Sequence, residues 1–244
     1  MRRGLAFGAL LVLAVALLAG FGTARDAGPA TIYAAASLTD VFPRISPSSR
    51  YQFAGSNQLA LQIARGAPAD VFASASPLYT QQLFKAGRVE KPRTFATNSL
   101  VLALPRSNPA KIRSVFDLAK RPKLKLLVAG QKVPIGLYTR EVLKRLGLLR
   151  VLRKAVSQEP DVKGIVGKLA LGEADAGFVY ATDVRTAASR LIAIPLPKRS
   201  QPTVRYEVAV VMGSGNRQAA LEFVADLLST EGRAALKKAG FGLP

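Results

Sequence analysis

Four short stretches share a design that suits an anion: a strand end, a small or turn residue, and a helix start. They are Ser37-Leu38, Gly55-Ser56-Asn57, Val133-Pro134-Ile135-Gly136 and Pro160-Asp161-Val162. A helix start carries backbone N–H groups without intrahelical partners and about half a positive charge, so it attracts anions. A serine hydroxyl there adds a donor that needs no charge of its own. The same residues serve equally as helix caps, and for Ser37, Ser56 and Asp161, taken singly, capping is the simpler reading. Convergence of all four on one cleft would separate the two readings. Tyr180 closes the apolar run Ala176-Gly177-Phe178-Val179-Tyr180. Its phenol either points out of a sheet as a donor or sits in the core with a satisfied hydroxyl.

What the chain lacks narrows the chemistry. It has no Cys and no His, which excludes thiolate and imidazole metal sites, a Cys nucleophile and a Ser-His-Asp triad. A Ser nucleophile with a Lys base, as in a secreted Ser/Lys hydrolase, is the enzymatic alternative. No Ser-x-x-Lys occurs near Ser37 or Ser56, which counts against it. The six Tyr are never adjacent, which speaks against a tyrosine-rich ferric site. Thirty-five Lys and Arg face 15 Asp and Glu, a formal +20. Such charge suits an anionic ligand, an anionic membrane surface, nucleic acid or merely a solvated basic face. The basic residues are scattered rather than interleaved with aromatics, so no nucleic-acid partner is expected.

The elements that must position these residues start after the N-terminus. Met1-Arg2-Arg3 is a positive n-region, Leu5 to Phe21 an unbroken apolar and small-residue run, and Gly22-Thr23-Ala24 a small-residue cleavage site. This reads as a secretory signal peptide over residues 1–24, cleaved near Ala24. The competing reading is a membrane anchor, but the run is at the short edge of a spanning helix. Without a Cys at the cleavage point there is no lipoprotein anchor. Removing these 24 residues leaves 33 basic against 15 acidic side chains, so the charge belongs to the mature chain. That chain, without disulfides, must be held by its core alone.

Beyond the leader, strand and helix patterns alternate. Thr31 to Ala36, Tyr51 to Ala54 and Asp70 to Ser74 read as strands, with helices over Asn57 to Arg65 and Leu78 to Ala86. Pro43 and Pro47 keep the helix after Ser37 short. Ser99 to Leu104 reads as a further strand, after which Val115 to Ala119, Lys125 to Ala129, Leu137 to Leu146, Leu149 to Ala155, Val162 to Leu171 and Ala176 to Tyr180 repeat the alternation. Leu191 to Pro195 and Tyr206 to Met212 are strands again, and two helices end the chain. This is the signature of a parallel α/β sheet. The long strands around Val101 and Val208 bracket about 100 residues, which fits two α/β lobes with a cleft between them. A single doubly wound sheet has the same spacing.

A further set of segments occurs in order along the mature chain. It includes Ala34-Ala35-Ala36-Ser37-Leu38-Thr39, Ala54-Gly55-Ser56, Gly66-Ala67-Pro68-Ala69-Asp70-Val71-Phe72 and Val133-Pro134-Ile135-Gly136-Leu137-Tyr138. Asp161-Val162, Gly177-Phe178-Val179-Tyr180, Tyr206-Glu207-Val208-Ala209-Val210-Val211 and Gly240-Phe241 follow. In these segments the chain resembles the periplasmic molybdate-binding proteins of ABC importers along nearly its whole mature length.

The resemblance implies a two-lobed periplasmic-binding-protein type II fold of α/β class with a ligand cleft between lobes. Lobe 1 is expected over residues 25–100 and 209–244, and lobe 2 over 101–208. It implies a periplasmic, monomeric receptor that binds molybdate and also tungstate and delivers it to a membrane permease. A receptor for sulfate or phosphate on the same fold is the alternative. It implies no enzyme activity and no cofactor, with molybdenum present only inside its oxyanion and without direct protein–metal ligands. Ser37 and Ser56 are implied to bind through hydroxyl and backbone N–H, Ile135 and Val162 through backbone N–H, and Tyr180 through its phenol. Two departures stand out. The shortened stretch between Ser37 and Ser56 is expected to displace the first wall of the site. Ile135, where the family often has Ala, is expected to narrow the mouth.

Overall fold

The computed structural model describes residues 28–244. The expected signal peptide and cleavage site lie outside the described residues. Among the described residues no helix is long and apolar enough to cross a membrane. In chain order the elements are β1 (Thr31–Ala35), α1 (Phe42–Ile45), β2 (Arg50–Ala54), α2 (Ser56–Ala64), β3 (Val71–Ser74), α3 (Pro77–Lys85), β4 (Arg93–Asn98) and β5 (Leu100–Pro105). Then come α4 (Asp117–Lys120), β6 (Leu126–Ala129), α5 (Pro134–Arg145), β7 (Ala155–Glu159), α6 (Val162–Ala170), β8 (Ala176–Tyr180) and α7 (Ala181–Thr186). The chain finishes with β9 (Leu191–Pro195), β10 (Val204–Val210), α8 (Arg217–Leu228) and α9 (Thr230–Ala239).

The strands form two five-stranded sheets rather than one, in the orders β2-β1-β3-β10-β4 and β7-β6-β8-β5-β9. The sheets share a plan. Three strands run parallel, and a fourth, β10 or β5, returns antiparallel. Central strands such as β3 and β8 are buried along their whole length, as strands covered on both faces must be. Edge strands β7 and β9 instead alternate half-buried and exposed residues.

The chain passes from the first sheet to the second at Ser99 and returns between Pro195 and Val204. This moves the expected boundary at residue 208. All of β10 belongs to the first sheet, where Tyr206 pairs with Ala96 and Glu207 with Ser74. The apolar run begins at Tyr206, after the exposed Arg205, and so starts later than the strand itself. The expected element at Leu149 to Ala155 is instead a 3-10 helix over Leu149–Lys154, and the strand begins only at Ala155. Strands β4 and β7 and helix α7 complete the layout beyond the elements expected from the sequence.

An aromatic row links the core of lobe 1 to the cleft. Phe42 packs on Phe95 at 5.9 Å, Phe95 on Tyr206 at 6.0 Å, and Tyr206 on Tyr180 at 5.9 Å between ring centroids. The last two contacts are edge-on, the arrangement aromatic quadrupoles favour.

Candidate functional site

In each sheet the parallel strands point their C-terminal ends at the other lobe, and strand order reverses there. Beside β1 the chain leaves in opposite directions to β2 and β3, and beside β6 to β7 and β8. Such switch points leave crevices where ligands bind in open α/β sheets. The four junctions lie at these strand ends. One small cavity of about 20 Å³ is lined by Ala36, Ser37, Gly55, Ser56, Val133, Ile135, Asp161, Val162 and Tyr180, among others. All five expected site residues are on its wall, Ser37 included despite the short helix that follows it. The volume exceeds the roughly 10–15 Å³ that one water needs, so the space suits a single small ion.

The donors are neutral, and the scaffold leaves their protons available. Ser56 is the first residue of α2 and makes no cap bond. Its Oγ accepts from the N–H of Ala75 at 3.1 Å, which leaves its own proton for the cavity. Ser37 Oγ lies 2.9 Å from the Tyr206 hydroxyl. Asn98 Nδ2 stands 3.5 Å from the same hydroxyl and can only donate to it. Tyr206 then donates to Ser37, and Ser37 donates onward. The sequence assigns neither Tyr206 nor Asn98 a role in the site, because β10 brings Tyr206 to Ser37 across 169 positions.

Pro134 opens α5 without an N–H, so Ile135 presents that helix's first donor. Val162 does the same for α6. Asp161 is a true cap: its Oδ1 accepts from the N–H of Gly164 at 3.1 Å. Capping therefore accounts for Asp161 but not for Ser37 or Ser56.

The hydroxyl of Tyr180 is buried and has no hydrogen-bond partner. A buried unpaired hydroxyl costs about 1–3 kcal/mol, so its place on the cavity wall calls for an acceptor. Burial pushes this phenol well above its ordinary range, which keeps it a donor. Tyr206, fully buried, is shifted in the same direction for the same reason.

Contacts across the cleft hold the lobes together. Tyr138 donates to the carbonyl of Ala75 at 3.3 Å, and Tyr79 to that of Lys132. Gly55 approaches the carbonyl of Pro160 so closely that a Cβ would stand 2.5 Å from its oxygen.

A family model described as bacterial extracellular solute-binding protein matches residues 30–242. The chain belongs to that family. Among relatives of this solute-binding protein, the molybdate-binding protein ModA of Mycobacterium tuberculosis is 34% identical over 233 residues, covering 91% of this chain and 88% of its own. The molybdate-binding protein ModA of Escherichia coli is 32% identical over 209 residues, 78% of this chain and 80% of its own. The solved periplasmic molybdate-binding protein of Azotobacter vinelandii superposes with a TM-score of 0.78, covering 88% of this chain and 99% of its own. At 22% identity that likeness speaks for the fold alone. It is an α/β periplasmic-binding-protein architecture, as expected.

Proposed function

We propose that this solute-binding protein captures molybdate, and tungstate with it, between its two lobes and delivers the ion to an ABC importer. The observation that carries the reading is the Tyr180 hydroxyl, buried and unpartnered on a cavity sized for one small ion. Ser37, Ser56 and Tyr180 donate hydroxyls, and Ile135 and Val162 donate backbone N–H groups. The two relatives of 32–34% identity that bind molybdate support the choice of ion. Hydrogen bonds to a charged partner contribute about 1.5–3 kcal/mol each. Less the costs of ordering and desolvation, a handful gives roughly −8 to −12 kcal/mol, micromolar to nanomolar affinity.

The protein acts as a receptor and not as an enzyme. No Lys lines the cavity, and Asp161, the one carboxylate on its wall, is engaged as the cap of α6, so its serines have no free base there. It works as a monomer in the periplasm after cleavage near Ala24, and lobe 2 closes on lobe 1 as the ion is bound. Calorimetric titration with molybdate, tungstate, sulfate and phosphate tests the reading. Tight binding of the first two is expected, and failure of both to bind overturns it.

A further inference from the structure

Charge is divided unevenly between the lobes. Residues 99–203 hold 20 Lys and Arg against 7 Asp and Glu, a net +13. Residues 28–98 and 204–244 hold 12 against 7, a net +5. Most of the excess on lobe 2 comes from two segments. Residues 106–125 carry seven basic side chains and one acid, Asp117, while 144–154 carry five and no acid.

The topology places both segments at the pole of lobe 2 away from the cavity. β6 and β8 are parallel and end at the cleft, so their first residues lie at the opposite end, where Lys125 and Asp175 bond to each other. β5, antiparallel to β8, finishes at that end and delivers residues 106–125 there. The 3-10 turn at Leu149–Lys154 precedes the start of β7 at the same end. The two segments are tied together, since Lys154 Nζ donates to the carbonyls of Leu118 at 2.8 Å and Ala119 at 3.2 Å.

The same pole exposes apolar side chains. Among the described residues, lobe 2 has four exposed large hydrophobics: Phe116 (39%), Leu149 (44%), Val156 (57%) and Leu171 (70%). Phe116 and Leu149 belong to the basic segments. Val156 is the second residue of β7 and Leu171 follows α6, both toward this end. Lobe 1 exposes such residues too, among them Leu61, Phe84 and Met212, so what marks this pole is that Phe116 and Leu149 lie within the basic segments themselves. Ligand steering does not explain them, because the cavity is on the other side of the lobe. A nucleic-acid surface would want several aromatic faces for bases to stack on, and Phe116 is the one aromatic of the four. Basic side chains interspersed with exposed Phe and Leu fit the boundary between lipid headgroups and acyl chains.

We propose that this pole of lobe 2 docks on an anionic phospholipid bilayer and holds the exported receptor at the membrane surface. The inference does not depend on which oxyanion the cleft takes. It is tested by co-sedimenting the exported protein with phosphatidylcholine vesicles, either pure or with about a third phosphatidylglycerol. Binding to the anionic vesicles alone is expected, and it should fade between about 0.1 M and about 0.5 M salt as screening tightens.

The combined variant Arg113→Glu, Lys123→Glu and Arg150→Glu replaces three exposed residues whose side chains make no hydrogen bond or ion pair among the described residues, and should lower partitioning about tenfold or more. The charge-matched variant Lys85→Glu, Lys91→Glu and Lys237→Glu on lobe 1 should stay within about threefold of the parent. Phe116→Ser with Leu149→Ser keeps every charge and should weaken binding severalfold. Unchanged oxyanion affinity in each variant verifies the fold. Equal loss in the two charge variants, equal binding to neutral vesicles, or indifference to the serine pair overturns the proposal.

Discussion

The ammonium of Lys163, the second residue of α6 in lobe 2, lies 2.6 Å from Oδ2 of Asp40 in lobe 1. One ion pair thus spans the cleft beside the cavity. Lys163 also stands 3.5 Å from Oδ1 of the buried Asp183, whose Oδ2 accepts from the N–H of Tyr180. The partners are not equivalent. Removing Lys163 would strand the buried carboxylate, whereas removing Asp40 loses only the contact between lobes. Asp40→Asn is the clean variant. Both partners of this pair are partly exposed, so it is worth about 0.2–1 kcal/mol, and the variant should bind molybdate about two- to fivefold more weakly. Titration at low and high salt checks this, since the defect should shrink as salt screens the parent's pair.

Gly55 sits at φ −62° and ψ 132°, a conformation alanine adopts freely. Within lobe 1 the new Cβ would meet only the flexible Asn57 side chain, 2.8 Å from its Oδ1, which can turn aside, so Gly55→Ala should leave the unliganded protein within about 1 kcal/mol of the parent. Closure is another matter, because the new Cβ would meet the carbonyl oxygen of Pro160, a backbone atom of the other lobe. Molybdate affinity should fall by an order of magnitude or more while the unliganded melting temperature holds. Normal affinity in this variant would mean that the ion is held without the approach of these two strands' ends.

Much of this site is legible in the sequence because its parts are local. Ser37, Ser56, Ile135 and Val162 announce themselves by lying where a strand pattern gives way to a helix, and parallel α/β topology forces such junctions to one side. What the sequence hides is non-local or weakly patterned. Tyr206 reaches Ser37 from a strand 169 residues away, and Lys163 reaches Asp40 across 123. β4, Arg-Thr-Phe-Ala-Thr-Asn, and β7, Ala-Val-Ser-Gln-Glu, are sheet edges whose polar content resembles loop. α7 follows β8 with no turn residue between them to mark the change.

Tyr180→Phe separates ligand binding from core packing. The hydroxyl has no partner in the protein, so its loss should leave the unliganded protein as stable as before or more so. Molybdate binding should weaken by about 1.5–3 kcal/mol, roughly tenfold to somewhat over a hundredfold. Thermal melts with and without molybdate report both quantities. A large stability loss with unchanged affinity would assign the phenol to the core.

Asp183 gives stability a pH dependence of unusual sign. Burial, only partly opposed by Lys163, pushes its carboxyl from the ordinary 3.8 up to about 7. Between those values the folded protein keeps a proton that the unfolded chain has released, so this group makes stability fall as pH rises through the window. Asp183→Asn retains an acceptor for the N–H of Tyr180 and never ionises. The melting temperature of the variant relative to the parent should climb from about pH 4 to about pH 7 and level off beyond it. A difference that does not vary with pH would show that the carboxyl is not raised.

Selectivity follows from the type of donor in the cavity. At neutral pH molybdate, tungstate and sulfate carry no proton, whereas phosphate carries at least one and needs an acceptor for it. The hydroxyl oxygens of Ser37 and Ser56 already have donors in Tyr206 and the N–H of Ala75. Asp161, the one carboxylate on the wall, is engaged as the cap of α6 through the N–H of Gly164. With the hydroxyls of Ser37, Ser56 and Tyr180 turned to donate to the anion, a phosphate proton should find only weak, shared acceptors, at a cost of up to about 1–3 kcal/mol. Sulfate has no such defect but is smaller than molybdate, and the molybdate reading expects donors spaced for the larger ion, too far from sulfate's oxygens to bond all of them. Competition titrations should rank molybdate and tungstate together, sulfate far weaker and phosphate undetectable. Asp161→Asn should cost at most the stability of a weakened cap, about 1 kcal/mol, and leave this order unchanged. Phosphate binding comparable to molybdate and abolished by Asp161→Asn would turn that carboxylate into the cavity and overturn both the selectivity argument and the molybdate reading.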